Sequence, residues 1–285
     1  MASYLRTRVL LAAGAGASFA CFWLGGGWLD IPQNRGYSIS LLQQPSPVLA
    51  LLVTAIVFIA CTALSSLIAG SVRFEAGLFC AAVGLSALSL RGGPLRYVLF
   101  DADKPVVFWR LAIELTLLFT ILGLAWVVLE RLADADWLSR GDDLVEEDEP
   151  IDQKILGTAT QICAMATLML ILCRSDAKNQ ALASVFVSSW LATLLAGTAA
   201  PTRPSTWYWI GPMFVGLIGY VWCAMRPDGW MIGQTQSYLG ALARPLPLDY
   251  ASLGTSGSIL GYWMSRKWVQ SRRETEPENA APGSA

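Results

Sequence analysis

Two ionisable side chains stand inside a long apolar run of the chain. In Pro105-Val-Val-Phe-Trp109-Arg110-Leu-Ala-Ile-Glu114-Leu-Thr116 the arginine and the glutamate are four residues apart, a spacing that puts both on one helical face. Charge inside a bilayer is costly, so such residues mark ion paths, proton relays or clamps for an anionic substrate. The plainer reading is a self-neutralised pair near the interface. Arg110 is only a turn or so beyond Pro105, and its long stem can carry the guanidinium out to the headgroups. Glu114 is deeper, roughly 12–14 Å along the axis at about 1.5 Å per residue. Gln161 is the third candidate, one and a half turns into a later apolar run, with Thr158 and Thr160 nearby. Hydrogen bonding between helices accounts for a residue of that kind. Arg110, Glu114 and Gln161 together are the candidate intramembrane polar site.

Other chemistry finds little to work with. The chain has no histidine, which removes imidazole acid–base catalysis, histidine–haem ligation and histidine metal sites. Gly-Ala-Gly-Ala-Ser at 14–18 lacks the Lys-Ser/Thr ending of a phosphate loop and sits in an apolar run. Asp101 and Asp103 read as solvated loop charges. The six cysteines (Cys21, Cys61, Cys80, Cys163, Cys173 and Cys223) all fall in apolar segments, with no CxxC spacing, and read as small packing residues. The acidic stretch at 131–154 has contiguous carboxylates, unlike the alternating ligands of a calcium loop, and reads as a solvated linker. No catalytic residue, metal site or cofactor is expected.

The elements that must position the polar residues follow from composition. Of 285 residues, 54% are hydrophobic and 14% charged, against a usual charged share of about 25%. Mean hydropathy is +0.49. So few charges cannot cover a water-soluble globule of this size. The expectation is an all-α, polytopic transmembrane helix bundle in a membrane of the bacterial inner or plasma type. A formal net charge of −1 gives no basic surface for nucleic acid.

Seven stretches approach the ~20 apolar residues of a span: Val9–Trp28, Val48–Ala69, Glu75–Leu90, Val106–Leu129, Ile155–Cys173, Leu182–Ala199 and Trp207–Met225. Glu75–Leu90 is short and rich in Ala, Gly and Ser. An eighth candidate, Tyr250–Met264, is short and polar. It spans only if packed against protein, and otherwise lies at the interface. Seven or eight spans are therefore expected. Residues 1–226 form the bundle, 227–270 a membrane-associated segment and 271–285 a disordered tail. The amino end, with Arg6 and Arg8 before an apolar run, has the outline of a signal peptide. The run continues through Phe22-Trp23-Leu24, so an uncleaved first span is expected. With eight spans and the amino end inside, eleven Lys and Arg residues collect on the inner side against eight outside, whereas seven spans favour the opposite orientation, twelve against seven.

Small residues mark close helix packing: Gly14 and Ser18 in the first span, Gly257 and Gly261 in the last candidate. Residues 48–129 and 155–225 share a layout of three spans with basic turns and Pro/Arg loops. A second copy of three spans would be inverted, as in many transporters, although identity between the two is poor. Two functions follow. The leading one is a structural or accessory subunit of a membrane assembly, with lipid and membrane proteins or further copies of itself as partners. The other is a small-solute or ion transporter or channel using the Arg110/Glu114 face.

Overall fold

A long apolar run in lipid has one low-cost conformation, the helix, which satisfies its backbone N–H and C=O groups internally. The computed structural model describes residues 2–26, 40–95, 104–132, 150–175, 177–202, 205–225 and 240–275. These residues form helices and turns, with no strand among them. The principal helices are α1 (Ala2–Gly25), α2 (Pro47–Ala69), α3 (Ala76–Arg91), α4 (Lys104–Leu132), α5 (Ile151–Leu172), α6 (Lys178–Ala199), α7 (Gly211–Met225) and α8 (Thr255–Thr275). Asp101, Asp103, most of the acidic stretch (133–149) and the tail from 276 lie outside the described residues.

Among the described residues six segments are long and apolar enough to cross a membrane: Leu5–Gly25, Pro47–Ala69, Val106–Leu132, Ile151–Leu172, Lys178–Ala199 and Thr206–Met225. The last joins the short turn Thr206–Trp209 to α7. Of the seven expected spans and the eighth candidate, two fall short of this standard, for different reasons. Helix α3 has only 16 residues, about 24 Å at 1.5 Å per residue. It ends where Gly92-Gly93-Pro94 follows, and the Gly92 N–H closes the helix on the carbonyls of Leu88 and Ser89. The stretch 250–264 has length, because helical structure runs without a break from 247 to 275, but it lacks apolar character. Its Ser252, Thr255, Ser256 and Ser258 are all buried.

Burial sorts the helices into shell and centre. Helices α1 and α5 bury less than a third of their apolar windows, whereas α4, α6 and α7 bury more than half. Helix α3 hides nearly all of Ala76–Ser89, packed chiefly on α1 and α2. Helix α8 lies along α6 in the most extensive helix–helix contact of the fold. Residues 240–275 thus pack with α3, α6 and α7 rather than standing apart from them.

Small residues sit at the tightest crossings. A Cβ on Gly84 of α3 would come within 2.5 Å of Ser18 Cβ, and one on Gly14 within 3.0 Å of Cys80 Sγ. The Ser18 hydroxyl is 2.7 Å from that of Ser65 on α2. On α8, a Cβ at Gly257 would meet the Phe186 carbonyl oxygen at 2.7 Å, and one at Gly261 would meet Thr193 Cβ at 2.9 Å. Such approaches bring helix backbones together where lipid supplies no hydrophobic drive between helices. The six cysteines form no disulfide among the described residues: Cys21 and Cys163 are exposed, and the other four are buried.

Candidate functional site

Glu114 lies ten residues into α4, about 15 Å from its start, and is wholly buried. Its partner comes from the turn ahead of α2. Leu41–Gln43 forms a single tight helical turn, closed by the Gln43 N–H on the Ser40 carbonyl, with Leu41 fully buried. The Leu42 N–H donates to Glu114 Oε2 at 3.0 Å, and the Ser40 side chain faces the same carboxyl. Oε1 of Glu114 has no hydrogen-bond partner among the described residues. A turn with Pro45 and Pro47 close behind it ends inside the bundle because Glu114 takes its free N–H.

The next residue, Leu115, carries the contact to α7. A Cβ on Gly216 would fall 2.7 Å from Leu115 Cδ2 and 3.0 Å from the Tyr250 ring. Tyr250 stands edge-on to Tyr220 of α7, with centroids 6.4 Å apart. The Tyr250 hydroxyl donates to the Leu242 carbonyl at 2.7 Å, and that of Tyr220 donates to the Pro245 carbonyl. Tyr220 is within electrostatic reach of both Glu114 and Asp249.

Asp249 is the second buried carboxylate. Its Oδ1 is 2.6 Å from Lys178 Nζ and also accepts from the Ser89 hydroxyl. Its Oδ2 accepts from the Leu246 N–H at 2.9 Å. Asp249 therefore joins α3, α6 and the 246–249 turn at one point. Immediately afterwards the helix widens into a π-turn over Tyr250–Gly254, a local irregularity frequent at functional sites.

Gln161 lies apart from this group, on α5. Its Nε2 reaches Thr193 Oγ1 of α6 at 2.8 Å, the Tyr208 carbonyl at 2.7 Å and Ser258 Oγ of α8 at 3.0 Å. Two amide hydrogens thus serve three acceptors on three elements, while Oε1 has no partner among the described residues. The amide packs against Gly211, where a Cβ would come within 2.7 Å of Gln161 Cδ. The serine next to it in the network, Ser189, bonds Ser258 Oγ and the Gly254 carbonyl, each at 2.6 Å.

The three residues singled out by sequence are not gathered into one site. Arg110 is exposed, on the outer side of α4, and makes no ion pair with Glu114. Glu114 faces the turn at 40–44, and Gln161 holds the α5–α6–α8 contact. Sequence reasoning missed Asp249 and Lys178. Asp249 is the only acidic residue between 229 and 273, and it follows Leu246-Pro247-Leu248, where a carboxylate three residues past a helix start closes a cap. That pattern marks the turn but not the lysine 71 residues away. The chain matches no family model, no curated protein and no solved structure.

Proposed function

We propose that the chain is a multi-pass membrane protein that takes a small cation, in the simplest case a proton, onto Glu114 within the bundle. The observation that carries this reading is a wholly buried carboxylate with one oxygen anchored by a backbone N–H and the other open among the described residues. Ionisable groups at such depth are costly and are kept for passage or binding. Lys178 already neutralises Asp249, and Arg110 points away, so the Glu114 charge has no cation beside it among the described residues.

In the same reading α3 and the stretch 250–264 cross the membrane as well, packed among the six apolar helices. Their poor fit to lipid is then no obstacle, since protein surrounds them. Eight crossings leave both ends of the chain on one side, the side that collects eleven of the Lys and Arg residues, which the charge bias places in the cytoplasm.

The test is flux in vesicles. Glu114→Gln keeps an acceptor for the Leu42 N–H but cannot ionise. Purified protein in proteoliposomes with a trapped pH dye and an imposed proton gradient, and in parallel Na⁺ or K⁺ gradients, should dissipate one of these gradients. The Gln variant should lose that flux at unchanged yield and melting temperature. Equal flux in the two proteins refutes the reading.

A second reading, an accessory subunit, has one observation in its favour. An open apolar groove of about 660 Å³ runs between α5 and α6, lined by Ala159, Cys163, Ala164, Thr167 and Leu195 among others. Small side chains of that kind admit a neighbouring helix. Bulky substitutions such as Ala164→Trp would then release a copurifying partner while leaving any flux intact.

A further inference from the structure

The lipid-facing stripe of α4 carries a charge. Val106, Trp109, Ile113, Leu117, Leu124 and Val127 are all exposed along it, and Arg110 is exposed with them. A guanidinium stays protonated in proteins. On an apolar surface it must therefore find an anion or water. Among the described residues Arg110 has neither a hydrogen-bond nor an ionic partner. Glu114, one turn deeper, is turned inward and occupied by Leu42.

Depth settles which anion is within reach. Arg110 is six residues into α4, about 9 Å from the helix start. A long stem from there extends to the headgroup level. The neighbouring Trp109 is 47% exposed, and exposed indoles settle at that same level. A fork of N–H donors beside an interfacial indole fits a phosphodiester, which guanidinium groups bind through two oxygens at once.

We propose that Arg110 and Trp109 form a binding site for an anionic phospholipid headgroup, the guanidinium on the phosphodiester and the indole beside it. An anionic lipid is favoured over a zwitterionic one because its phosphate carries no ammonium competing for the same oxygens. The contact fixes the height of α4 in the bilayer, and with it the depth of Glu114, whatever Glu114 does.

The test uses the full chain in detergent, with phosphatidylglycerol and phosphatidylcholine added in equal amounts and bound lipid read by native mass spectrometry. Arg110→Gln removes the charge from an outward face and should leave the melting temperature unchanged. The wild type should retain phosphatidylglycerol in preference to phosphatidylcholine. Arg110→Gln should weaken that retention about fivefold, the worth of one cationic side chain at a membrane surface. Arg110→Lys should restore part of it. Millimolar inorganic phosphate should not displace the lipid; if it does, the site belongs to free phosphate. Identical lipid profiles in wild type and Arg110→Gln, or no preference for the anionic lipid, overturn the proposal.

Discussion

Lys178→Met is the sharpest test of how this bundle is held at the end where Asp249 sits. Lys178 is the first residue of α6, where the helix dipole disfavours a cation by ~0.3–1 kcal/mol. Asp249 offsets that penalty at 2.6 Å, with side-chain exposures of 11% for the lysine and 1% for the aspartate. Removing the lysine strands a carboxylate with only the Ser89 hydroxyl and the Leu246 N–H. Breaking a buried pair from one side costs about 3–5 kcal/mol. The two remaining donors and the relieved dipole place Lys178→Met near ~3 kcal/mol, at the lower end of that range. Asp249→Asn is gentler, about 1–2 kcal/mol, because Lys178 already touches the surface and can turn outward. The double variant Lys178→Met/Asp249→Asn leaves no buried charge and should recover most of the loss. At roughly 2–4 °C per kcal/mol for a chain of this size, Lys178→Met should melt about 6–12 °C below wild type. Size-exclusion after stepwise heating in detergent reads the order directly. If Lys178→Met is no worse than Asp249→Asn, or the double variant is as unstable as the sum of the singles, the pair is not a buried neutralised unit and the reasoning fails.

Three further outcomes follow from the packing. Gly211→Ala places a methyl group on the Gln161 amide and should lower stability by about 2–3 kcal/mol, as overpacking and a broken polar junction do; Gln161→Leu in the same background should not add its full cost, a coupling a double-mutant melt would read. Gly261→Val drives a side chain against Thr193 and the Trp190 backbone and should separate α8 from α6, seen as lost yield or a melting drop larger than that of Gly123→Val, whose Cβ would meet nothing within 4 Å. Folded protein in mild detergent should label with a membrane-permeant maleimide first at Cys21 and Cys163, with the four buried thiols following after denaturation; labelling of Cys80 or Cys173 as fast as Cys163 would contradict the packing of α3 and of the end of α5.

What sequence revealed, and what it hid, has a physical pattern. The six long apolar helices were legible because lipid demands about twenty such residues, whatever the partners. Tyr250–Met264 was ambiguous because hydropathy reports what a helix touches. Its serines and glycines touch α6 and α3, so a helix inside the bundle looks polar. Glu114 was legible as a charge in an apolar run. Its four-residue spacing from Arg110 was not decisive, because i and i+4 differ by about 40° around the axis. On α4 that angle straddles the boundary between protein and lipid, sending Glu114 inward and Arg110 outward. Gln161 stood out by residue type, but Thr193, Ser258 and Tyr208 are 32, 97 and 47 residues away. Asp249 was hidden for the same reason: Ser89 is 160 residues from it, and only the fold makes this aspartate of a helix's first turn a buried junction.

Glu114, as proposed, exchanges a proton or cation inside the bundle. Infrared difference spectroscopy of protein in lipid, recorded between acidic and alkaline buffer, measures this at the carboxyl itself. The expected result is a protonated-carboxyl band that is absent in Glu114→Gln and that a transported metal cation, where one is found by flux, suppresses at fixed pH. A difference spectrum in which wild type and Glu114→Gln coincide would contradict it, leaving Glu114 as a fixed anchor for the Leu42 turn.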